Sequence, residues 1–342
     1  MARRALGAAL VGFGYWGPNL ARNLSASADF DLLHICDLSP GRVAAARGLY
    51  PAVDCGSDAS HAIGDDAVDA VFVATPAAAH HRLAIEAIEA GRHVLVEKPL
   101  TLDAVTSDDL VARAADRGVV LAVDHTFVYT GAVQKLRDLV VEGDLGDLRY
   151  FDSMRVNLGI VQPDVDVFWD LAVHDLSILQ YVTDRTPVSV SATGIAHAPS
   201  THASTAYMTL FYEDDFVAHV DVSWMSPVKV RRTLLAGTRR MVVYDDLEPS
   251  EKIKVYDAGV DRPETSEERH STMVSYRTGD MIAPKLDAGE ALLVEVAHLA
   301  ECIRGNSTPR ASGAMGASIV RTLEAATVSM ARRGAPVDLK DI

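Results

Sequence analysis

Cysteine is scarce in this chain. Cys36, Cys55 and Cys302 are the only three in 342 residues, widely spaced and without a Cys-x-x-Cys. That argues against a disulfide framework and a thiolate zinc site, and it fits a reducing, cytoplasmic compartment. Basic residues are outnumbered, with 32 Lys and Arg against 47 Asp and Glu and a net charge of −15. A nucleic-acid surface needs clustered Lys and Arg, so no nucleic-acid partner is expected. A small phosphate-bearing ligand needs only a local positive pocket and stays open. No apolar run approaches the length that spans a bilayer, so no membrane partner is expected. Arg3-Arg4 before Ala5 to Val11 imitates the start of a signal peptide. The run then breaks into Gly12-Phe13-Gly14-Tyr15-Trp16-Gly17 without a small-residue cleavage site, and it reads as a buried strand. Repeats and low-complexity linkers are missing as well.

What is present is an ordinary globular composition, 49% apolar and 23% charged, over a length that suits two domains. The first third alternates strand and helix patterns. Strands are expected at Leu6 to Val11, Phe30 to Cys36, Val68 to Ala74, His93 to Glu97 and Val119 to Val123. Helices are expected at Ala79 to Ala90 and Ala104 to Arg117. Such alternation makes a doubly wound parallel sheet. From about Asp124 the pattern changes. Helices at Ala132 to Val141 and Phe168 to Tyr181 are followed by strands at Val188 to Ala196, Ala203 to Tyr212, Phe216 to Trp224, Arg231 to Ala236 and Met241 to Tyr244. Alternation such as Val217, His219, Asp221, Ser223 marks antiparallel strands with one wet face. The polar stretch Asp245 to His270 reads as a strand plus a long loop. Helices near Glu290 to Arg304 and Gly316 to Arg333 close the chain. The boundary falls near residue 124, giving domains 1–124 and 125–342.

Gly12-x-Gly14-x-x-Gly17 follows an expected strand and opens an expected helix. The first glycine permits the tight turn, the second lets backbone approach a pyrophosphate, and the third lets helix and strand pack closely. Phe13, Tyr15 and Trp16, which fill the turn, are expected with its glycines to bind the cofactor. Asp37 ends the next strand, where a carboxylate suits the ribose hydroxyls of NAD and repels the extra phosphate of NADP. Arg42 reads as a solvated helix residue, although it could meet a 2′-phosphate. Thr75 and Pro76 stand at a strand end facing the ligand crevice and are expected to line the dinucleotide. His80 and His81 read as helix-face residues.

A second constellation begins with Glu97-Lys98-Pro99 at the end of the strand from His93. A lysine there can hold a sugar hydroxyl or a developing alkoxide; taken alone, the Glu-Lys pair reads as a solvated strand end. Asp170 and His174, four apart on an expected helix, share a face. An imidazole can take a hydroxyl proton while hydride leaves the carbon, and a carboxylate can orient the substrate or the ring. His125 stands near the same crevice as substrate lining. Arg155 and Asn157 suit carboxylate, phosphate or sugar hydroxyls. No metal site is expected. The basic stretch Lys229, Arg231, Arg232 and Arg239-Arg240 reads mostly as a solvated strand face.

Together, Gly12-Phe-Gly-Tyr-Trp-Gly-Pro-Asn19, Glu97-Lys98-Pro99 and Asp170-x-x-x-His174 resemble the Gfo/Idh/MocA oxidoreductase family over nearly the whole chain. Arg155-Val-Asn157-Leu-Gly159, Trp169-Asp170-Leu-Ala-Val-His174-Asp175 and Tyr244-Asp-Asp-Leu-Glu-Pro249 resemble its WlbA-type sugar-nucleotide branch, with Val173 where close relatives have proline. The resemblance implies an N-terminal Rossmann domain and a C-terminal α/β domain with a large, mostly antiparallel open sheet. That sheet is implied to form the interface of a homodimer or homotetramer, and substrate is implied to bind between the domains. It implies Lys98, Asp170 and His174 as catalytic residues; Glu97 and Lys98 are also expected to contact the cofactor, and Trp169, Asp170 and His174 the substrate. The expectation is an NAD-dependent dehydrogenase that oxidises a sugar hydroxyl, at C3 of a nucleotide-linked hexose or uronate, to a ketosugar. The same residues would serve a ketosugar reductase, a cyclitol dehydrogenase or an NAD-dependent glycosidase. A non-catalytic cofactor-binding regulator is disfavoured by the presence of all three residues.

Overall fold

Six short strands, Leu6–Val11 (β1), Phe30–Cys36 (β2), Asp54–Gly56 (β3), Ala70–Val73 (β4), His93–Glu97 (β5) and Leu121–Asp124 (β6), pair in parallel in the order β3-β2-β1-β4-β5-β6. This is a computed structural model, and it describes residues 4–159, 165–197, 202–261 and 275–342. The helices between the strands are Gly17–Ala26 (α1), Pro40–Leu49 (α2), Ala59–Gly64 (α3), His80–Glu89 (α4) and Ala104–Arg117 (α5). Both faces of the sheet are covered, which is why β1 and β4 are apolar at nearly every position. Ala8, Ala9, Leu10 and Ala70 to Val73 have no measurable exposure. Burying a side chain such as Phe72 contributes about 1.5–3 kcal/mol. Helix ends follow local chemistry. Asp103 caps α5 by accepting the Thr106 N–H at 2.7 Å, and Gly118, in the left-handed region, ends it. Strand β3 was not expected; three residues carry too little pattern to be seen.

The chain divides into two compact units, Met1–Thr130 with Gly289–Arg321 and Gly131–Ala288 with Thr322–Ile342. Helix Ala291–Ile303 (α8) therefore belongs with the parallel sheet, although the expected boundary assigned it to the second domain. Its apolar face explains this: Leu292, Val296, Leu299 and Ala300 enter the same core as Ala8, Leu10, Phe72 and Leu95. The unit boundary falls inside helix Gly313–Ala331 (α9).

The second unit begins with Gly131–Val141 (α6) and strand Leu148–Leu158 (β7). A π-helical turn, Phe168–Ala172, then runs into Val173–Thr183 (α7). The strands that follow are Ser189–Ile195 (β8), Thr205–Phe211 (β9), Val217–Ser223 (β10), Met225–Gly237 (β11), Met241–Asp245 (β12), Ile253–Asp261 (β13), Ser275–Ile282 (β14) and Val337–Asp338 (β15). Their order is β14-β13-β12-β11-β7-β10-β9-β8-β15. Only the β7–β10 pair is parallel among the described pairings of this sheet. One face is packed: Ala218, Val220 and Val222 of β10 are fully buried, and Phe151 of β7 nearly so. The register places Tyr150, Met154, Tyr207, Phe211, Val217 and Tyr256 together on the other face, and all of them are exposed. The long loop expected up to His270 lies, from residue 262, outside the described residues. Strand β14 beyond it was not expected.

Candidate active site

In the first unit, the carboxyl ends of six parallel strands share one edge, and order reversal between β1 and β4 opens the crevice where such sheets take ligands. The glycine turn leaves β1 there. Gly12 has φ +105°, and a Cβ on it would stand 2.3 Å from the carbonyl oxygen of Ala74. One on Gly17 would stand 2.2 Å from the carbonyl of Gly12. These two glycines let the backbone pack. Gly14 meets only the Arg42 guanidinium, at 3.4 Å, and keeps open space above the turn. Tyr15 projects into solvent, while Trp16 sits at the cap position of α1 and supplies no side-chain hydrogen bond to its amides. The helix start thus faces the turn with its dipole and no side-chain acceptor. Asp37 is tied to this turn directly. Its Oδ2 accepts the Phe13 N–H and its Oδ1 the Ser39 N–H, both at 2.8 Å, and Arg42 stands 3.5 Å from Oδ2.

Beside the turn, Thr75 follows β4 by two residues, and its hydroxyl is buried with no hydrogen-bond partner. Pro76 is exposed and leads into α4. Strand β5 ends at Glu97, whose carboxylate accepts the backbone N–H of Lys98, and the Lys98–Pro99 peptide is cis. His80, read from sequence as a helix-face residue, is buried, with Nδ1 2.9 Å from the Pro99 carbonyl and Nε2 2.8 Å from the Thr75 carbonyl. Its ring therefore bridges the two loops that carry Thr75 and Lys98. A histidine one residue before a second histidine gave no sign of this. His81 instead pairs with Asp109 at 3.0 Å. His125 follows β6 and is 1% exposed. Burial first, then the charge of Lys98, push its pKa from 6.5 down to about 3, so it is a neutral ring beside that lysine.

In the second unit, buried Asp166 starts the π turn by accepting the amides of Phe168 and Trp169 at 2.8 and 3.3 Å. Such wide turns cluster at functional sites. This one carries Asp170 and delivers His174 on the first turn of α7. Trp224, between β10 and β11, donates its indole N–H to Asp170 Oδ2 at 3.0 Å. This contact joins residues 54 apart in sequence, which is why no local pattern announced it. Trp169 is buried and donates to Thr327 Oγ1 at 3.2 Å. Arg155 is 4% exposed and engages Asp175 through Nε at 2.7 Å and Nη2 at 3.1 Å. Ser153 adds a hydrogen bond to the same carboxylate at 2.7 Å. Arg155 therefore fastens β7 to α7. Asn157, on the same strand, is half-buried.

The first unit fits a dinucleotide. Its turn leaves Gly14 open, its helix start lacks a side-chain cap, and the orphaned Thr75 hydroxyl lies at the adjacent strand end. Among the described residues, no group of three His, Cys, Asp or Glu is placed to hold a metal ion, and no helix is long and apolar enough to cross a membrane. Comparison with known proteins agrees with the cofactor. Residues 6–125 match the family described as "Oxidoreductase family, NAD-binding Rossmann fold", and residues 133–243 match the GFO/IDH/MocA C-terminal domain. A UDP-N-acetylglucosamine 3-dehydrogenase of Acidithiobacillus ferrooxidans is 39% identical over 147 residues, covering 42% of this chain and 45% of that one. The aligned part thus spans less than half of that relative's length. A scyllo-inositol 2-dehydrogenase (NAD(+)) of Bacillus subtilis is 24% identical over 97% of this chain and 95% of its own. The solved structure of GenD2 from gentamicin A biosynthesis, in complex with NAD, superposes with a TM-score of 0.82 at 23% identity, covering 99% of this chain and 97% of that one. The chain binds NAD through its Rossmann unit and belongs to the Gfo/Idh/MocA oxidoreductase family.

Proposed function

We propose that this enzyme oxidises a secondary hydroxyl of a sugar to a ketone, and that the sugar is a nucleotide-linked hexose or its uronate, oxidised at C3. The observation that carries the chemistry is the residue set: a lysine at a strand end beside the cofactor turn, and an acid–imidazole pair on the π turn and α7. The nucleotide-sugar part rests on the likeness to the Acidithiobacillus enzyme.

Bound NAD supplies the hydride acceptor. His174 takes the hydroxyl proton, because an imidazole exchanges protons near neutrality. Lys98 carries the positive charge that stabilises negative charge on the reacting oxygen as the C–H bond breaks. Asp170, held by Trp224, orients the neighbouring hydroxyls. Neutral His125 adds a ring next to Lys98 without a competing charge. Lys98→Ala and His174→Ala should each lower kcat at least a hundredfold. Turnover near wild type in both would remove the assignment.

We read the exposed face bearing Tyr150, Met154, Tyr207 and Phe211 as the contact for a second copy of the protein. Large exposed apolar side chains gathered on one sheet face, here interleaved with Asp152, His219 and Asp221, are what an interface with a polar share presents. The buried, unpaired cysteines accord with a reducing compartment, and we assign the enzyme to the cytoplasm.

A further inference from the structure

The glycine turn is tied to an acid that the oxidation does not use. Trp16, inside the turn, donates its indole N–H to Asp124 Oδ2 at 2.5 Å, and Thr126 donates its hydroxyl to Oδ1 at 2.5 Å. Asp124 is the last residue of β6 and is 1% exposed. Against it, from α8, stands the carboxyl of Glu295, also 1% exposed. No N–H or hydroxyl among the described residues donates to either Glu295 oxygen.

Two buried carboxyls in contact cannot both be ionised, since each charge is denied water and each repels the other. One proton must lie between them. Burial raises the Asp124 carboxyl too, but its two donors, Thr126 and Trp16, and the charge of Lys98 favour its anion. Glu295 faces the charges of Asp124 and Glu97 and the hydroxyl of Tyr129, and burial pushes its carboxyl well above the usual range. Of the two, Glu295 is therefore the one that keeps the proton.

We infer that Glu295 is a positioning residue: as a neutral acid it holds Asp124 in place to accept from Trp16, so that the NAD-binding turn is braced by a single buried proton. Loss of that proton sets two charges against each other beneath the turn and releases Trp16. The inference needs only NAD binding, not the identity of the sugar, and it is read without any sugar present.

The test is the dissociation constant of NAD, followed from neutral to alkaline pH, in the wild type, Glu295→Gln and Trp16→Phe. Glutamine keeps a neutral donor toward Asp124. Glu295→Gln should bind within about threefold of wild type at neutral pH and stay flat where wild-type affinity falls about tenfold. Trp16→Phe should already be about tenfold weaker at neutral pH, as expected on losing a hydrogen bond to a charged acceptor. An alkaline fall in Glu295→Gln that matches wild type would overturn the inference. So would unchanged affinity in Trp16→Phe. Infrared spectroscopy of wild-type protein with isotope-labelled glutamate carboxyls gives a reading that needs no variant to fold. A carboxylic-acid carbonyl band should be present at neutral pH; carboxylate bands alone would contradict the proposal.

Discussion

Trp224 holds Asp170 from across the sheet, its indole N–H 3.0 Å from Oδ2. The carboxylate proposed to orient the sugar is therefore set by a residue between two strands, not by its own helix. Trp224→Phe keeps the buried ring and removes the donor. A hydrogen bond to a charged acceptor is worth about 1.5–3 kcal/mol, so kcat/KM should drop about tenfold or more while NAD affinity holds. Steady-state kinetics beside NAD titration checks this, and an unchanged kcat/KM would show that Asp170 needs no such support.

Arg155 and Asp175 form a buried bidentate pair. Arg155→Ala strands a buried carboxylate, which costs about 3–5 kcal/mol when one partner of such a pair is removed. The expected result is a clear loss in denaturant midpoint. A variant of normal stability with a raised KM for the sugar would instead make Arg155 a substrate ligand.

His125 makes stability depend on acid. Its folded pKa is depressed to about 3 from 6.5, so the unfolded chain takes up the proton first as pH falls. Its contribution is complete above about 6.5 and is lost progressively from there toward 3. Stability measured across this window should fall less steeply in His125→Gln than in wild type, by the equivalent of one proton. Parallel curves would mean that His125 is charged in the folded protein.

The exposed sheet face predicts association. Wild-type protein should sediment as a dimer or larger, and Met154→Lys with Phe211→Lys should yield a folded monomer. A wild-type monomer at micromolar concentration would contradict the proposed interface.

The parts legible in the sequence were those fixed by short-range demands. Gly12 and Gly17 are dictated by backbone contacts at 2.3 and 2.2 Å, so the turn shows as a local pattern. Alternation along β10 showed its wet and dry faces. The hidden parts depend on distant partners. Strand β7 lies at the centre of the second sheet yet buries Ser153 and Arg155, which only Asp175 makes tolerable. Helix α8 carries Glu295 inward against Asp124, so its polarity pattern misleads. The π turn widens what reads as a plain helix from Phe168, and the reach of Trp224 to Asp170 exists only after the sheet has formed.

The central claim is tested most directly by the absorbance of reduced nicotinamide. Purified protein with NAD is given UDP-N-acetylglucosamine, its uronate, other nucleotide sugars, free sugars and inositols in turn. The account predicts reduction with a nucleotide sugar, lost in both Lys98→Ala and His174→Ala. Reduction only with a free sugar or an inositol would contradict the proposed substrate class, and undiminished reduction in both variants would contradict the proposed chemistry.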